Sequence, residues 1–530
     1  MVSVRSVSDL LNKQLRWLTN DDSLVTNLLV LGLVFGFIWH VQPFIILPLN
    51  SGFYKESEFL IYEYFSINRL SFLIGCVGFS SPLFLNIKRE EVSWSSVPKW
   101  IRSIIITCVV LLAWAYGFTE TNYFYNKTYL ADKIFLLILA FLTIRRPQFT
   151  FLFLLQAYLL SKQFAFALPA SYTFTDKQII YDILFGFSVF QGLKLICFKN
   201  VSWHCFLIIT LLILCNWYFK AGLGKIVVGW QNHNSLYNLF MASVAHDWLY
   251  QFPKLKLALG SILYQLKGII EYLTLLVEFL FPLILLFRRA WFKYLMISFI
   301  IFHLLVYLTS GIFFWKWIVL EIVLIVASYK WSEMLDFSWR LKFVYFFSLV
   351  LFFFLSPTTS LVWYDTPFIQ KHQFSLLSDS QEIKLDASFF SPYDVIFAQN
   401  RFSFLSQRPT YTRTYGSTTD LTTLFEANEA VVAGRLPQFT SAAAIEYNKE
   451  KEEMFLIFVR EFANNKLKND VKWVNWFDAP MHIHQGVNQQ NFDEFNKARS
   501  LRIVYKELLT LPNLKFKEVY KDERVIKLQE

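Results

Sequence analysis

Long apolar runs, each closed by a short polar or basic stretch, fill the first 357 residues and then stop. Runs near 17–25 apolar residues match the thickness of a bilayer core. They fall at roughly 24–48, 70–87, 103–119, 129–144, 148–168, 178–194, 203–219, 267–287, 293–310, 312–329 and 342–357. The pattern predicts an all-α polytopic membrane helical bundle of about 11 spans, with 231–260 as an interfacial or re-entrant piece. After Ser356-Pro357, a helix stop, the pattern changes. Phe374–Leu377, Glu382–Leu385 and Tyr393–Phe397 alternate and predict strands. Ala442–Leu467 has helical spacing. Val471–Phe477, Arg502–Leu511 and Lys515–Leu528 predict a strand, a helix and a terminal hairpin turning at Lys521-Asp522-Glu523. The expected organisation is transmembrane helices over 1–200, a transmembrane core over 201–357 and a small α+β soluble domain over 358–530.

Charge sharpens this division. Only 17% of the 530 residues are charged and 55% are hydrophobic, where a soluble chain carries about a quarter charged. Residues 1–364 hold 29 Lys and Arg against 18 Asp and Glu, whereas 365–530 hold 21 against 22. The basic excess therefore belongs to membrane loops facing anionic lipid, and no nucleic-acid surface is expected. Basic clusters at Lys13/Arg16, Lys88–Arg102, Arg145/Arg146, Lys194/Lys199, Arg288–Lys293 and Lys330–Lys342 occupy every second loop. Four intervening loops are poor in Lys and Arg; the fifth, Lys220–Lys267, also carries Lys225, Lys254 and Lys256. The positive-inside rule then puts the N-terminus in the cytoplasm, with the Lys225 end and the soluble domain outside. Leu24–Pro48 is too long for a signal-peptide core and reads as a retained span. All five cysteines sit in or beside apolar runs, as small fillers.

Ionisable groups inside apolar runs are costly, which makes Glu278, His303 and Glu321 candidates. For each, the competing explanation is a helix–helix hydrogen bond. Lys225 stands in Asn216–Trp230, at the end of the 203–219 run, flanked by Gly224 and followed by Trp230. A desolvated lysine is a candidate base or nucleophile, and snorkelling to headgroups is its alternative. The Gly222–Gly224 stretch is expected to relax into a turn. Depth along the spans predicts that Lys225, Glu278 and His303 meet in one cavity in the outer half of the bundle. His233 and His246 flank the interfacial piece within reach of the Lys225 turn. His482-Ile483-His484, with Asp478 nearby, is a weak metal pattern, and no metal is expected at the main site.

With those residues in hand, 203–329 resembles the HTTM (horizontally transferred transmembrane) domain, the membrane module of vitamin K-dependent gamma-carboxylase and its bacterial relatives. The matching positions are Tyr218-Phe219, Ala221-Gly222, Lys225, Trp230, the Glu278–Pro282 span and the Phe302-His303 span running to Gly311. The resemblance implies a multi-span bundle in a bacterial inner (cell) membrane, with the C-terminal domain extracytoplasmic. It implies Lys225 as the base, with His303 and Glu278 beside it. It also implies Tyr218, Trp230 and His233 as substrate contacts and a quinone or hydroquinone as cosubstrate. Two departures separate the chain from the carboxylase. Gly224-Lys225 replaces paired lysines, and residues 100–200 contain no histidine.

Three functions follow as expectations. The first is base-assisted chemistry on a lipophilic quinone-like cosubstrate. The second is a non-catalytic accessory protein for maturation or export of a secreted peptide or protein client. The third is a transporter, for which no inverted repeat is visible.

Overall fold

The computed structural model describes residues 24–43, 49–67, 93–119, 121–169, 175–196, 198, 201–227, 229–330, 339–355, 364–378, 381–385, 387–391, 393–407, 417–418, 420–433, 446–468, 499–511 and 514–528. The main helices are α1 (Leu24–Gly36), α2 (Lys99–Gly117), α3 (Leu130–Arg145), α4 (Thr150–Lys162), α5 (Thr175–Ile196), α6 (Trp203–Val227) and α7 (Ser235–Ala245). They continue with α8 (Pro253–Gln265), α9 (Lys267–Leu275), α10 (Arg289–Ser310), α11 (Trp315–Lys330), α12 (Trp339–Leu355), α13 (Leu421–Val432) and α14 (Lys449–Lys468). One hydrophobic core runs through the bundle from Val30 to Phe352. Its axis is α6, buried almost continuously from Cys205 to Phe219 because nearly every side chain there is apolar.

Among the described residues, four helices are long and apolar enough to cross a membrane: Lys99–Gly117, Lys177–Ile196, Trp203–Val227 and Trp291–Ser310. That fits an integral membrane protein and corrects the expected count of about 11. The apolar runs are there, but the backbone divides several of them. Arg145 and Arg146, followed by Pro147 opening a 3-10 turn, end α3 after 16 residues. The 24–48 run passes from α1 into a π-helical turn at Phe37–Val41. In the 267–287 run, α9 gives way to a second π turn at Leu276–Leu280, just before Pro282. Proline has no N–H and its ring clashes with the carbonyl four residues back, which here belongs to Glu278. The expected 70–87 span lies outside the described residues.

Two buried carboxylates hold helix ends in this bundle. Asp132 accepts from the Leu60 N–H at 3.1 Å and from Gln156 Nε2 at 2.9 Å. Glu271 takes the Leu236 N–H at 3.4 Å and so caps α7 from a neighbouring helix. Residues 231–260, expected as an interfacial or re-entrant piece, hold α7 and the first part of α8. Leu514 lies against α8 at Gly260, where an added Cβ would come within 2.4 Å of the leucine side chain.

The C-terminal part is α+β, as its pattern predicts. Its strands are β1 (Tyr364–Asp365), β2 (Phe368–Leu377), β3 (Glu382–Leu385), β4 (Ser417–Thr418), β5 (Ser500–Leu511) and β6 (Lys515–Lys527). They form an antiparallel sheet of order β3-β2-β5-β6 and a separate β1-β4 pair. Three local expectations fail. Arg502–Leu511 is strand β5, not a helix, because pairing with β2 on one side and β6 on the other overrides its local propensity. Lys521-Asp522-Glu523 lies mid-strand in β6, opposite Lys506, Tyr505 and Val504, and is not a turn. Tyr393–Phe397 contributes to a short helix, Asp394–Ala398, not a strand. The expected strand at 471–477 and the histidines at 482 and 484 lie outside the described residues.

A core of phenylalanines packs α14 against the sheet and reaches the loop before α3, where Tyr123 stacks edge-on to Phe462. Within the sheet, burial pushes the His372 imidazole down to about 3 from 6.5. Its Nδ1 faces Asn400 Oδ1 at 3.2 Å and its Nε2 has no hydrogen-bond partner. The unfolded chain therefore binds a proton that the folded domain refuses. Stability contributed by neutral His372 is complete above about pH 6.5 and falls as pH drops toward about 3. The expected slope is at most about 1.4 kcal/mol per pH unit. His372→Phe should flatten it in a pH series of thermal unfolding.

Candidate functional site

The site is built on one stripe of α6. Tyr218, Ala221 and Lys225 stand at i, i+3 and i+7 and so share a face. Ala221, small and between two long side chains, leaves room in front of that face. The helix does not relax into a turn at Gly222–Gly224; it continues to Val227, and Lys225 sits in its last turn. Gly222 serves close approach instead. A Cβ there would meet Phe279 N at 2.7 Å and the Glu278 carbonyl carbon at 2.8 Å. The turn that ends the segment is made at Gly229, whose φ of +64° suits glycine.

That approach, together with the π turn, delivers Glu278 to Lys225. Lys225 Nζ donates to both carboxylate oxygens, at 2.7 and 2.6 Å. The two side chains are only 12% and 8% exposed, so each charge depends on the other for compensation. The ammonium also sits 4.9 Å from the centre of the Trp230 ring.

Two helical turns further into the bundle is a second polar group. The Tyr218 hydroxyl donates to Glu321 Oε1 at 2.6 Å and lies 3.1 Å from His303 Nε2. His303 Nδ1 is 3.5 Å from the same Glu321 oxygen. His303 is held between aromatic faces, Phe314 at 5.2 Å and Tyr218 at 5.6 Å, while Trp317 meets it edge-on at 5.5 Å. Three ionisable or hydroxyl groups thus meet at Glu321 Oε1 in apolar surroundings, while the buried Glu321 Oε2 has no hydrogen-bond partner.

Between these two polar groups lies a cavity of about 100 Å³. Lys225 and Glu278 line one part, and Tyr218 and His303 line another. The remaining wall is aromatic and aliphatic, including Trp217, Trp230, Phe302, Phe314 and Trp317. Lys225, Glu278 and His303 therefore share one cavity, joined by Tyr218 and Trp230. His233 does not line it; its ring meets Phe425 of α13 at 5.8 Å. His246 turns back on its own helix, with Nδ1 2.7 Å from Ala242 O. Glu321, behind Tyr218, does not itself line the cavity. Residues that no sequence pattern singled out complete it. Leu236 and Leu239 come from α7, and Asp365 comes from β1 of the C-terminal domain.

The arrangement offers a largely apolar cavity with proton-handling groups on its wall. Among the described residues, no group of three or more His, Cys, Asp or Glu side chains is placed to hold a metal ion. No protein-family model, curated protein or solved structure matches the chain.

Proposed function

We propose that this is a multi-pass membrane protein that binds a lipophilic, quinone- or hydroquinone-like molecule and moves a proton from it. The reading rests on one observation: the Lys225–Glu278 pair and the Tyr218–His303 pair line a single aromatic cavity at the end of α6. In this reading a planar ring stacks on the Trp and Phe walls, and its oxygens meet the polar groups. In this reading a ligand hydroxyl gives its proton to the Glu278 carboxylate. The electron pair stays on the ligand oxygen, where the Lys225 ammonium stabilises the developing charge. Lys225 then acts electrostatically, with Glu278 as the acceptor.

We place the protein in a bacterial inner membrane, with the N-terminus cytoplasmic and residues 358–530 outside, as a relative of the HTTM and gamma-carboxylase group. The alternation of basic loops supports the orientation. The parallel course of α6 and α10 supports a further crossing between them, since Lys225 and Val306, both near C-terminal ends, line the same cavity. The broken segment from Lys267 to Ile284, roughly 27 Å long at 1.5 Å per residue, is the return path. The second reading, an accessory protein for a secreted peptide or protein client, draws on β6, a 13-residue strand at the edge of the sheet. Such an edge can take an extended peptide.

The experiment is ligand binding by the full chain in lipid nanodiscs, with menadiol as the probe. Trp217, Trp230 and Trp317 face the cavity, so menadiol should quench tryptophan fluorescence saturably. Ala221→Leu, which fills the slot, should weaken binding by about tenfold or more, equivalent to about 1.4 kcal/mol. Quenching that is absent, or indifferent to Ala221→Leu, would remove this reading and favour the accessory one.

A further inference from the structure

Helix α8 has two unlike sides. Gly260 and Leu263 are buried; Leu263 belongs to a core with Tyr237 of α7 and Ile369 of β2, and Leu514 closes on Gly260. Away from that side, Leu255, Ile262 and Leu266 stand at i, i+7 and i+11 and so share a stripe. The same spacing runs on into α9 with Ile269 and Leu273, and all five side chains are 39–61% exposed. Tyr250, Phe252, Tyr264 and Tyr272 of this segment are exposed as well. Its charge has one sign. Between Asp247 and Glu271 stand Lys254, Lys256 and Lys267, with no Asp or Glu. Nearby lysines are held by the protein, Lys225 by Glu278 and Lys371 by the Ala245 carbonyl and Asp247. Among the described residues, no ion pair or side-chain hydrogen bond holds Lys254 or Lys256.

We propose that α8 lies in the headgroup layer of the bilayer, on the side of the C-terminal domain, and binds anionic phospholipid. The stripe from Leu255 to Leu273 enters the acyl boundary, and Lys254 and Lys256 meet headgroup phosphates. Two observations select lipid as the occupant. The stripe is continuous with α9, a helix of the bundle, so the surface that covers one covers the other. Its chemistry is that of an interfacial helix: aliphatic and aromatic side chains enter the membrane, and lysines at the edge reach for anionic headgroups. Successive residues on a helix point about 100° apart, so Lys254 and Lys256 flank Leu255 on either side and can snorkel to phosphate while the stripe stays buried in lipid. Anionic lipid also accounts for lysines in the one loop that breaks the alternation of basic clusters. Lys225 there answers to Glu278, and Lys254 and Lys256 answer to the membrane surface. The inner side of α8, against α7 and Leu514, then carries the C-terminal sheet at a fixed height over the bilayer.

The test is amide hydrogen exchange across residues 254–266 of the full chain. It compares nanodiscs of phosphatidylcholine alone with nanodiscs of phosphatidylcholine and phosphatidylglycerol in equal parts. The wild type should exchange about tenfold more slowly when phosphatidylglycerol is present. Lys254→Gln/Lys256→Gln, which removes no contact within the protein, should shrink that difference to about twofold or less. Leu255→Ser/Ile262→Ser should speed exchange in both lipid mixtures, because it weakens insertion itself. Equal exchange of the wild type in both mixtures would overturn the proposal. Slow exchange in both would mean that the sheet alone holds α8, and fast exchange in both would leave the stripe to a second copy of the chain or another protein. A difference untouched by the lysine substitutions, or exchange unmoved by the leucine and isoleucine ones, would overturn it too.

Discussion

Lys225→Met is expected to be among the most destabilising single substitutions in the bundle, at about 3–5 kcal/mol. The loss does not come from the few contacts of the lysine stem. It comes from Glu278, which is left nine-tenths buried without its cation and would have to take up a proton or drag water into the bundle. Glu278→Gln should cost less, about 1–3 kcal/mol, because the amide oxygen still accepts from Nζ. The double variant Lys225→Met/Glu278→Gln should recover much of the loss, since no isolated charge remains. Thermal unfolding of the four proteins in nanodiscs gives the coupling directly. Additive losses would mean that the ion pair is not the unit described here.

Gly222→Ala should loosen the same site from the backbone side. Its Cβ meets main-chain atoms of Glu278 and Phe279, which cannot swing aside as a side-chain tip can. Helix α6 and the π turn must therefore part, at about 1–3 kcal/mol, and Glu278 retreats from Lys225 as they do. Gly32→Ala and Gly36→Ala in α1 are the contrast, because a Cβ at either meets nothing within 4 Å. There the change removes a flexible residue from a helix and should stabilise by about 0.5–1 kcal/mol. Equal effects at all three glycines would show that helix propensity, not close approach, governs Gly222.

The meeting of Lys225, Glu278 and His303 was readable because charge inside apolar sequence is costly and must find company. Tyr218 was readable as a residue two helical turns from Lys225, but not as the donor that joins His303 to Glu321. Asp365 gave no local signal at all. It lies 140 residues after Lys225, and its place depends on how β1 docks against α7. Nor did sequence fix the direction of His233, one turn beyond Trp230, which the packing of α13 decides. Apolar length was overcounted as membrane crossings because hydropathy does not register the π turns at Phe37–Val41 and Leu276–Leu280. Strand β5 read as a helix because Leu501, Val504, Tyr505 and Leu508 are spaced as on one helical face, while its partners lie more than 100 residues away in β2. The second of these π turns is also what aims Glu278, so the irregularity that spoiled the span count helps to build the site.

The most direct measurement of the central claim is an electron cryo-microscopy map of the full chain in lipid nanodiscs with saturating menadiol. Planar density is predicted between the Lys225–Glu278 pair and His303, with the pair intact and the ring flanked by Trp230 and Phe314. A map with Lys225 turned into solvent, Glu278 elsewhere, or the probe bound only outside this cavity would contradict it.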